Sequence, residues 1–222
     1  MEPQKQKYEI KQGGPTLTVA SDQMNAILQA YSKQFEPQGG KGPTHEVLQE
    51  YLEEHILKNP DTVLLFEGEE FMAMGSIRYF PPHVDFPNDE IVELTTFAVA
   101  EPFQGKGLSR EVFNELETQA LLRAPHDKGV IFTLITATPQ MAHMSESKGY
   151  QKIVPERFIE LSTHSVETPA HRTERADHLR CYHYQPYINE THSSRNLVPV
   201  ISGQKGIRGR VLRLLGALFT VR

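Results

Sequence analysis

The sequence predicts an α/β domain in which helices flank a mixed sheet, and three observations carry that expectation. Apolar residues recur at helical spacing as far as about Pro60. From Thr62 the period shortens to that of strands. Residues 91–135 then run strand, helix, strand, the unit from which parallel pairs are built.

Residues 1–20 read as short extended segments around Gly13-Gly14-Pro15. Ser21 or Asp22 is positioned to cap a helix carrying Met24, Ile27, Leu28 and Tyr31. The stretch Pro37 to Pro43, rich in glycine, breaks it. Thr44 caps a second helix with Val47, Leu48, Tyr51, Leu52 and Ile56 on one face, ending before Pro60. Three strands follow at Thr62 to Phe66, Glu70 to Phe80 and Ile91 to Val99, each rich in β-branched and aromatic residues.

Gly107 to Arg123 returns to helical period, with Leu108, Val112, Phe113, Leu116 and Ala120 on one stripe. Val130 to Ile135 is a continuous apolar run, as expected of a parallel strand covered on both faces. Thr138 with Pro139 opens a helix that Gly149 stops. Arg157 to Leu161 and His178 to Tyr184 read as two closing strands joined by a polar loop from Ser162 to Asp177, so that the domain closes near Tyr187. The expected division is a domain over residues 1–187 and a basic extension over 188–222.

The 222 residues are 38% hydrophobic and 23% charged, ordinary globular usage. Thr191 to Arg222 holds six Lys and Arg and no acid, leaving 17 basic against 28 acidic residues, a charge of −11, over residues 1–190. Such an acidic body argues against nucleic acid as a partner and mildly favours cationic acceptors. A single cysteine, Cys181, excludes an internal disulfide and fits a reducing compartment. The N-terminus lacks the apolar stretch of a signal peptide and no run of about 18 apolar residues is present, so the expected location is cytoplasmic. Histidines 164, 171, 178, 183 and 192 lack ligand spacing, and no metal site is expected.

Chemistry concentrates after the strand Ile91 to Val99, where Gln104-Gly105-Lys106-Gly107-Leu108-Ser109 opens a helix. Small residues at 105, 107 and 109 let backbone approach a ligand closely, and N–H groups at a helix N-terminus favour an anion such as a diphosphate. The spacing is neither a Walker loop nor a dinucleotide fingerprint.

Phe97-Ala98-Val99 together with Phe103 to Ser109 resembles the coenzyme A motif of the GNAT superfamily of N-acyltransferases, whose pattern is Q/R-x-x-G-x-G/A. Gln104, Gly107 and Ser109 match it, with serine at the last small position. Lys148-Gly149-Tyr150 is similar to the lysine-leucine-glycine-phenylalanine that ends the family's next helix. With the order of elements, the resemblance covers about residues 15–185. It implies a splayed central sheet, acetyl-CoA as co-substrate and transfer of its acetyl group to a primary amine. It also implies that Gln104, Gly105, Lys106, Gly107, Leu108 and Ser109 hold the diphosphate. Phe97, Ala98 and Val99 would offer strand-end backbone to pantetheine, Thr138 would join the coenzyme contacts, and the Phe97 or Ala98 N–H would face the reacting carbonyl oxygen.

Aminolysis needs a neutral amine, and Glu93, set among Ile91, Val92, Leu94 and Phe97, is the candidate base. It has two other readings, as a substrate ligand or as a structural partner of Arg78. Family members often carry a tyrosine as proton donor where this chain has Ser145, so no acid is assigned among Ser145, His143 and Tyr150. Gly75 to Pro82 and Glu93 to Val99 also look like the acyl-homoserine lactone and N-acyl amino acid synthases, although Thr96 replaces their arginine. Longer-chain acyl transfer is therefore one alternative, and a non-catalytic coenzyme A-binding module is another. The acceptor, a small-molecule or peptide amine, is expected between the first two helices, the Phe80 to Asp89 connection and the Ser162 to Asp177 loop. Along Gly206 to Arg222, Val211, Leu212, Leu215, Leu218 and Phe219 form a stripe behind Arg208, Arg210 and Arg213. Packing on the domain or on a second copy of the chain, as in a homodimer, is favoured over membrane contact.

Overall fold

The computed structural model describes residues 8–33, 43–162, 176, 177, 179 and 185–194. Seven strands form one sheet: β1 (Glu9–Gln12), β2 (Thr62–Glu67), β3 (Glu70–Tyr79), β4 (Asp89–Val99), β5 (Gly129–Thr136), β6 (Gln151–Lys152) and β7 (Gln185–His192). Their order is β1-β2-β3-β4-β5-β7-β6, antiparallel except for the β4–β5 pair. The helices are α1 (Ser21–Ser32), α2 (His45–Tyr51), α3 (Leu108–Arg123), α4 (Pro139–Ser147) and α5 (Pro155–Ser162).

Most of the expected elements form for the expected reasons. The stripe on α3, Leu108, Val112, Phe113, Leu116 and Ala120, is buried throughout. Gly75 of β3 gives α3 its seat, because a Cβ there would stand 2.7 Å from Val112 and 2.9 Å from Leu116. Thr44 caps α2 by accepting from the Val47 N–H, and a π-helical turn, Leu52–Leu57, continues it. Its buried stripe is Leu48, Leu52 and Ile56, while Val47 and Tyr51, one position off the stripe, are exposed. Gly149, at φ +85°, ends α4 as expected.

Thr138 stands at the N-cap of α4 with Pro139 in its first turn, as expected, although its hydroxyl makes no capping bond. Three expectations are corrected. Ala20, not Ser21 or Asp22, is the N-cap of α1, and its N–H donates to Gln23 Oε1. Arg157 to Leu161 is not a strand but most of α5, which starts on Pro155, buries Phe158, Ile159 and Leu161, and leaves β6 to the two residues after Tyr150. Among the described residues the last strand is β7, later than His178 to Tyr184 and running past Tyr187 to His192. Of that expected stretch only Leu179 is described, and it is helical. The extension after Ser194 lies outside the described residues.

The β4–β5 ladder runs from Asp89↔Gly129 to Glu93↔Thr133 and stops there, while β5 goes on pairing with β7 to Thr136↔Gln185. A bulge in the β3–β4 ladder accompanies the parting: Met74 pairs with Ala98 and Ser76 with Thr95, so β4 carries one extra residue. Thr96 at that point adopts φ +59°, a strained setting for a β-branched residue. Its buried hydroxyl has no partner among the described residues. Below the parting, Asp89 ties down the far end of β7, accepting from Ser193 Oγ, the Ser194 N–H and Ser194 Oγ at 3.1, 2.5 and 3.1 Å.

Candidate functional site

Where β4 ends, a single 3₁₀ turn at Glu101–Phe103 leads into the glycine loop, anchored by buried Phe103 and by Gln104, whose Nε2 donates to the Val99 carbonyl at 3.4 Å. Gly105 and Gly107 take φ +75° and +81°, the left-handed region that glycine enters without cost. A Cβ at either would meet nothing within 4 Å, so open space lies beside the loop. Gly107 is the N-cap of α3. The N–H groups of Gly105, Lys106, Gly107, Leu108 and Ser109 donate to none of the described residues, since the first bonds of the helix are those of Arg110 and Glu111 to the Gly107 carbonyl. Lys106 lies over the Phe103 ring at 4.7 Å. Five amides without protein acceptors at the positive end of a 16-residue helix suit a diphosphate.

The loop stands beside the gap between β4 and β5. Phe97 stacks on Phe113 of α3 at 5.6 Å, and Phe113 meets the Tyr150 ring edge-on at 5.4 Å. Ala98 is buried and Val99 half-buried. Thr138 is exposed across the gap at the start of α4, its N–H donating to Thr136 Oγ1 at 3.0 Å. The residues expected to hold coenzyme thus gather at one mouth of the parted sheet. Two clefts run along α1, one by Glu69 and the other by Lys33 with Ala100, Glu101 and Pro102, the residues that join β4 to the glycine loop.

Glu93 is the last residue of β4 that pairs with β5. It is 2% exposed and ion-paired with the Arg78 guanidinium, directly opposite on β3. Arg78 in turn lies over the Phe80 ring at 5.5 Å. The pair belongs to the face that β4 turns toward α5, where Ile91 packs with Ile131, Leu161 and Ile188. Two of the three candidates for a proton donor are otherwise occupied. Ser145 is fully buried and donates to the Met141 carbonyl at 2.8 Å. Tyr150 donates to Glu117 at 3.0 Å, and burial foremost, with the Glu117 charge, holds its phenol well above the ordinary value. His143 is exposed.

The backbone bulge at Thr96 has no counterpart in the sequence reading, because a Thr-Thr pair in a strand carries no signal for a left-handed residue. Among the described residues no three His, Cys, Asp or Glu side chains come together as metal ligands, and no helix is long and apolar enough to cross a membrane.

A family model described as the acetyltransferase (GNAT) family matches residues 24–142. A search of curated proteins finds no match. Among solved structures, the chain is similar to N-acetylglutamate synthase from Neisseria gonorrhoeae, solved with coenzyme A and N-acetyl-glutamate. The identity is 13% and the TM-score 0.54, over 83% of this chain and 35% of that one. An acetyltransferase from Streptococcus agalactiae is 12% identical with a TM-score of 0.55, over 82% of this chain and 97% of that one. A Pyrococcus horikoshii protein gives 13% and 0.53, over 82% and 98%. At such identities the likeness is one of fold. The chain spans 35% of the gonococcal enzyme and 44% of a second Pyrococcus horikoshii chain.

Proposed function

The chain belongs to the GNAT acetyltransferase family, and from that premise we propose that it transfers an acetyl group from acetyl-CoA to a primary amine by direct attack in a ternary complex. The observation that carries this reading is the loop at Gly105 and Gly107, with its five available amides, beside a sheet that parts after Glu93. In this reading Gln104 to Ser109 bind the diphosphate, Phe97 to Val99 align the pantetheine arm, and Thr138 contacts it from α4. Acetyl-CoA supplies a thioester carbonyl that an amine can attack. Backbone N–H at Phe97 or Ala98 faces the carbonyl oxygen as negative charge grows there.

Glu93 is the proposed base. It takes one proton from the incoming ammonium, and the neutral nitrogen bonds to the acetyl carbon as the carbon–sulfur bond breaks. The second proton shed by nitrogen goes to the departing sulfur, which suits a site where Ser145 and Tyr150 are committed elsewhere. The division into a transferase domain and a basic extension, and a cytoplasmic location, belong to the same proposal.

Release of coenzyme A thiol over a panel of amines tests the reading. Glu93→Gln is expected to lower kcat by about a hundredfold, within the usual range for losing a general base, while acetyl-CoA affinity by calorimetry stays within about threefold. Unchanged kcat removes Glu93 as base. Absence of acetyl-CoA binding to the native protein removes the whole reading.

A further inference from the structure

We propose that the acceptor is a zwitterion of the α-amino-acid type, whose carboxylate binds Arg78 while its ammonium meets Glu93. This rests on the acetyl-transfer reading and narrows it to a substrate class.

The argument starts from the unequal burial of the pair. Glu93 is 2% exposed and Arg78 56% exposed, so the pair shows its cationic side outward. Guanidinium has five N–H donors in a planar fork. Among the described residues Arg78 meets a single carboxylate, Glu93, and its cation is steadied from below by Phe80, itself edge-on to Phe158 at 5.8 Å. The fork is thus fixed in orientation and retains donors that face outward.

Two neighbouring polar side chains are already satisfied: Thr133 donates to the Val92 carbonyl, and Ser76 is held by Thr62 and Asn59. The buried hydroxyls of Tyr79 and Thr96 have no partner among the described residues. Arg157 is shared between Asp85 and Glu160, whereas Arg123 repeats the arrangement, 54% exposed over Tyr79 with Asp61 buried beneath it. What sets Arg78 apart is its place, opposite Glu93 at the last rung before β4 and β5 part.

Charge complementarity then selects the ligand. A simple amine would bring one positive charge to a carboxylate already holding a cation, so binding it would weaken the existing pair. A carboxylate one carbon from an ammonium brings both signs. Each meets its opposite, and Glu93 keeps Arg78 while receiving the ammonium. Bidentate recognition of carboxylate is what guanidinium geometry favours and what a lysine ammonium does less well.

The experiment measures thiol release by the intact protein with acetyl-CoA and three matched sets: the common L-amino acids, their α-carboxamides, and the amines left on removing the carboxylate. The expected result is turnover with one or more amino acids, falling at least about tenfold in kcat/KM for the matching carboxamide and amine. Arg78→Gln is expected to raise KM for the best amino acid at least about tenfold with a smaller effect on kcat, and Arg78→Lys to recover part of that loss. Equal or better use of the carboxamide or plain amine overturns the proposal and leaves acetyl transfer standing. Bound acetyl-CoA with no thiol release from any set overturns both. Should Arg78→Gln fail to fold with Glu93 left alone, the native acceptor panel decides.

Discussion

Replacing Gly107 by alanine separates the cost of a left-handed backbone from the use made of it. Gly107 sits at φ +81°, ψ 4° as the N-cap of α3, and no atom lies within 4 Å of the Cβ it would gain. The folded protein therefore offers no clash, and the penalty is that of an L-residue in this region, about 1–2 kcal/mol. Gly68, in the β2–β3 turn at φ +60° and equally open, supplies the matched control. In urea unfolding both Gly107→Ala and Gly68→Ala are expected to lose about 1–2 kcal/mol. Titration calorimetry with coenzyme A should divide them. At Gly107 the new methyl and the shifted amides stand where the diphosphate approaches, and one charge-assisted hydrogen bond lost is worth about 1.5–3 kcal/mol, a Kd roughly ten to a hundred times weaker. Gly68→Ala should bind as the native protein does. Equal affinities in the two variants would refute the assignment of the loop, whatever their stabilities.

Three further outcomes follow from the same structure. Asp89→Ala removes a buried acceptor of three hydrogen bonds from Ser193 and Ser194 and should cost about 2–4 kcal/mol in urea unfolding; a loss below about 0.5 would show that the tie at the end of β7 is idle. Tyr150, its phenol held up by burial and by Glu117, stays protonated in the native state while the unfolded chain ionises near its ordinary pKa of 10.0. Its contribution is therefore intact below that value and lost as pH rises beyond it, and Tyr150→Phe should show a shallower alkaline decline than the native protein. Thr96→Gly relieves the φ +59° strain and deletes an unpartnered buried hydroxyl, so stability should hold or rise by about 1 kcal/mol while turnover falls with the loosened bulge; lower stability would argue against strain at this residue.

What could be read from the residues alone follows a physical division. The α3 stripe and the apolar run of β5 were legible because burial imposes a period on composition. The glycine loop was legible because left-handed backbone selects glycine. The region after Gly149 was not. Arg157 to Leu161 is too short a stretch to separate a strand period from a helical one, and Pro155, at the first turn where proline suits a helix, marks α5. β7 carries Pro186 and Asn189, residues that read as a turn, yet both sit in ladder positions opposite Ile135 and Phe132. The pairing of Arg78 with Glu93 was one of three readings of Glu93, because a strand sequence does not reveal its register.

A sheet that parts in its middle also has edges where most sheets have none. Outer strands are commonly shielded from stray partners by lysine, proline or a short length. Such devices would block the gap between β4 and β5 for its own ligand as well, and here the shield is the twist that the extra residue puts into β4. The ligand proposed for this gap, an extended arm bearing amides, has the dimensions of a missing strand. In that reading, filling the gap would complete a sheet, and the chain without its co-substrate would be the form more open to pairing with another chain.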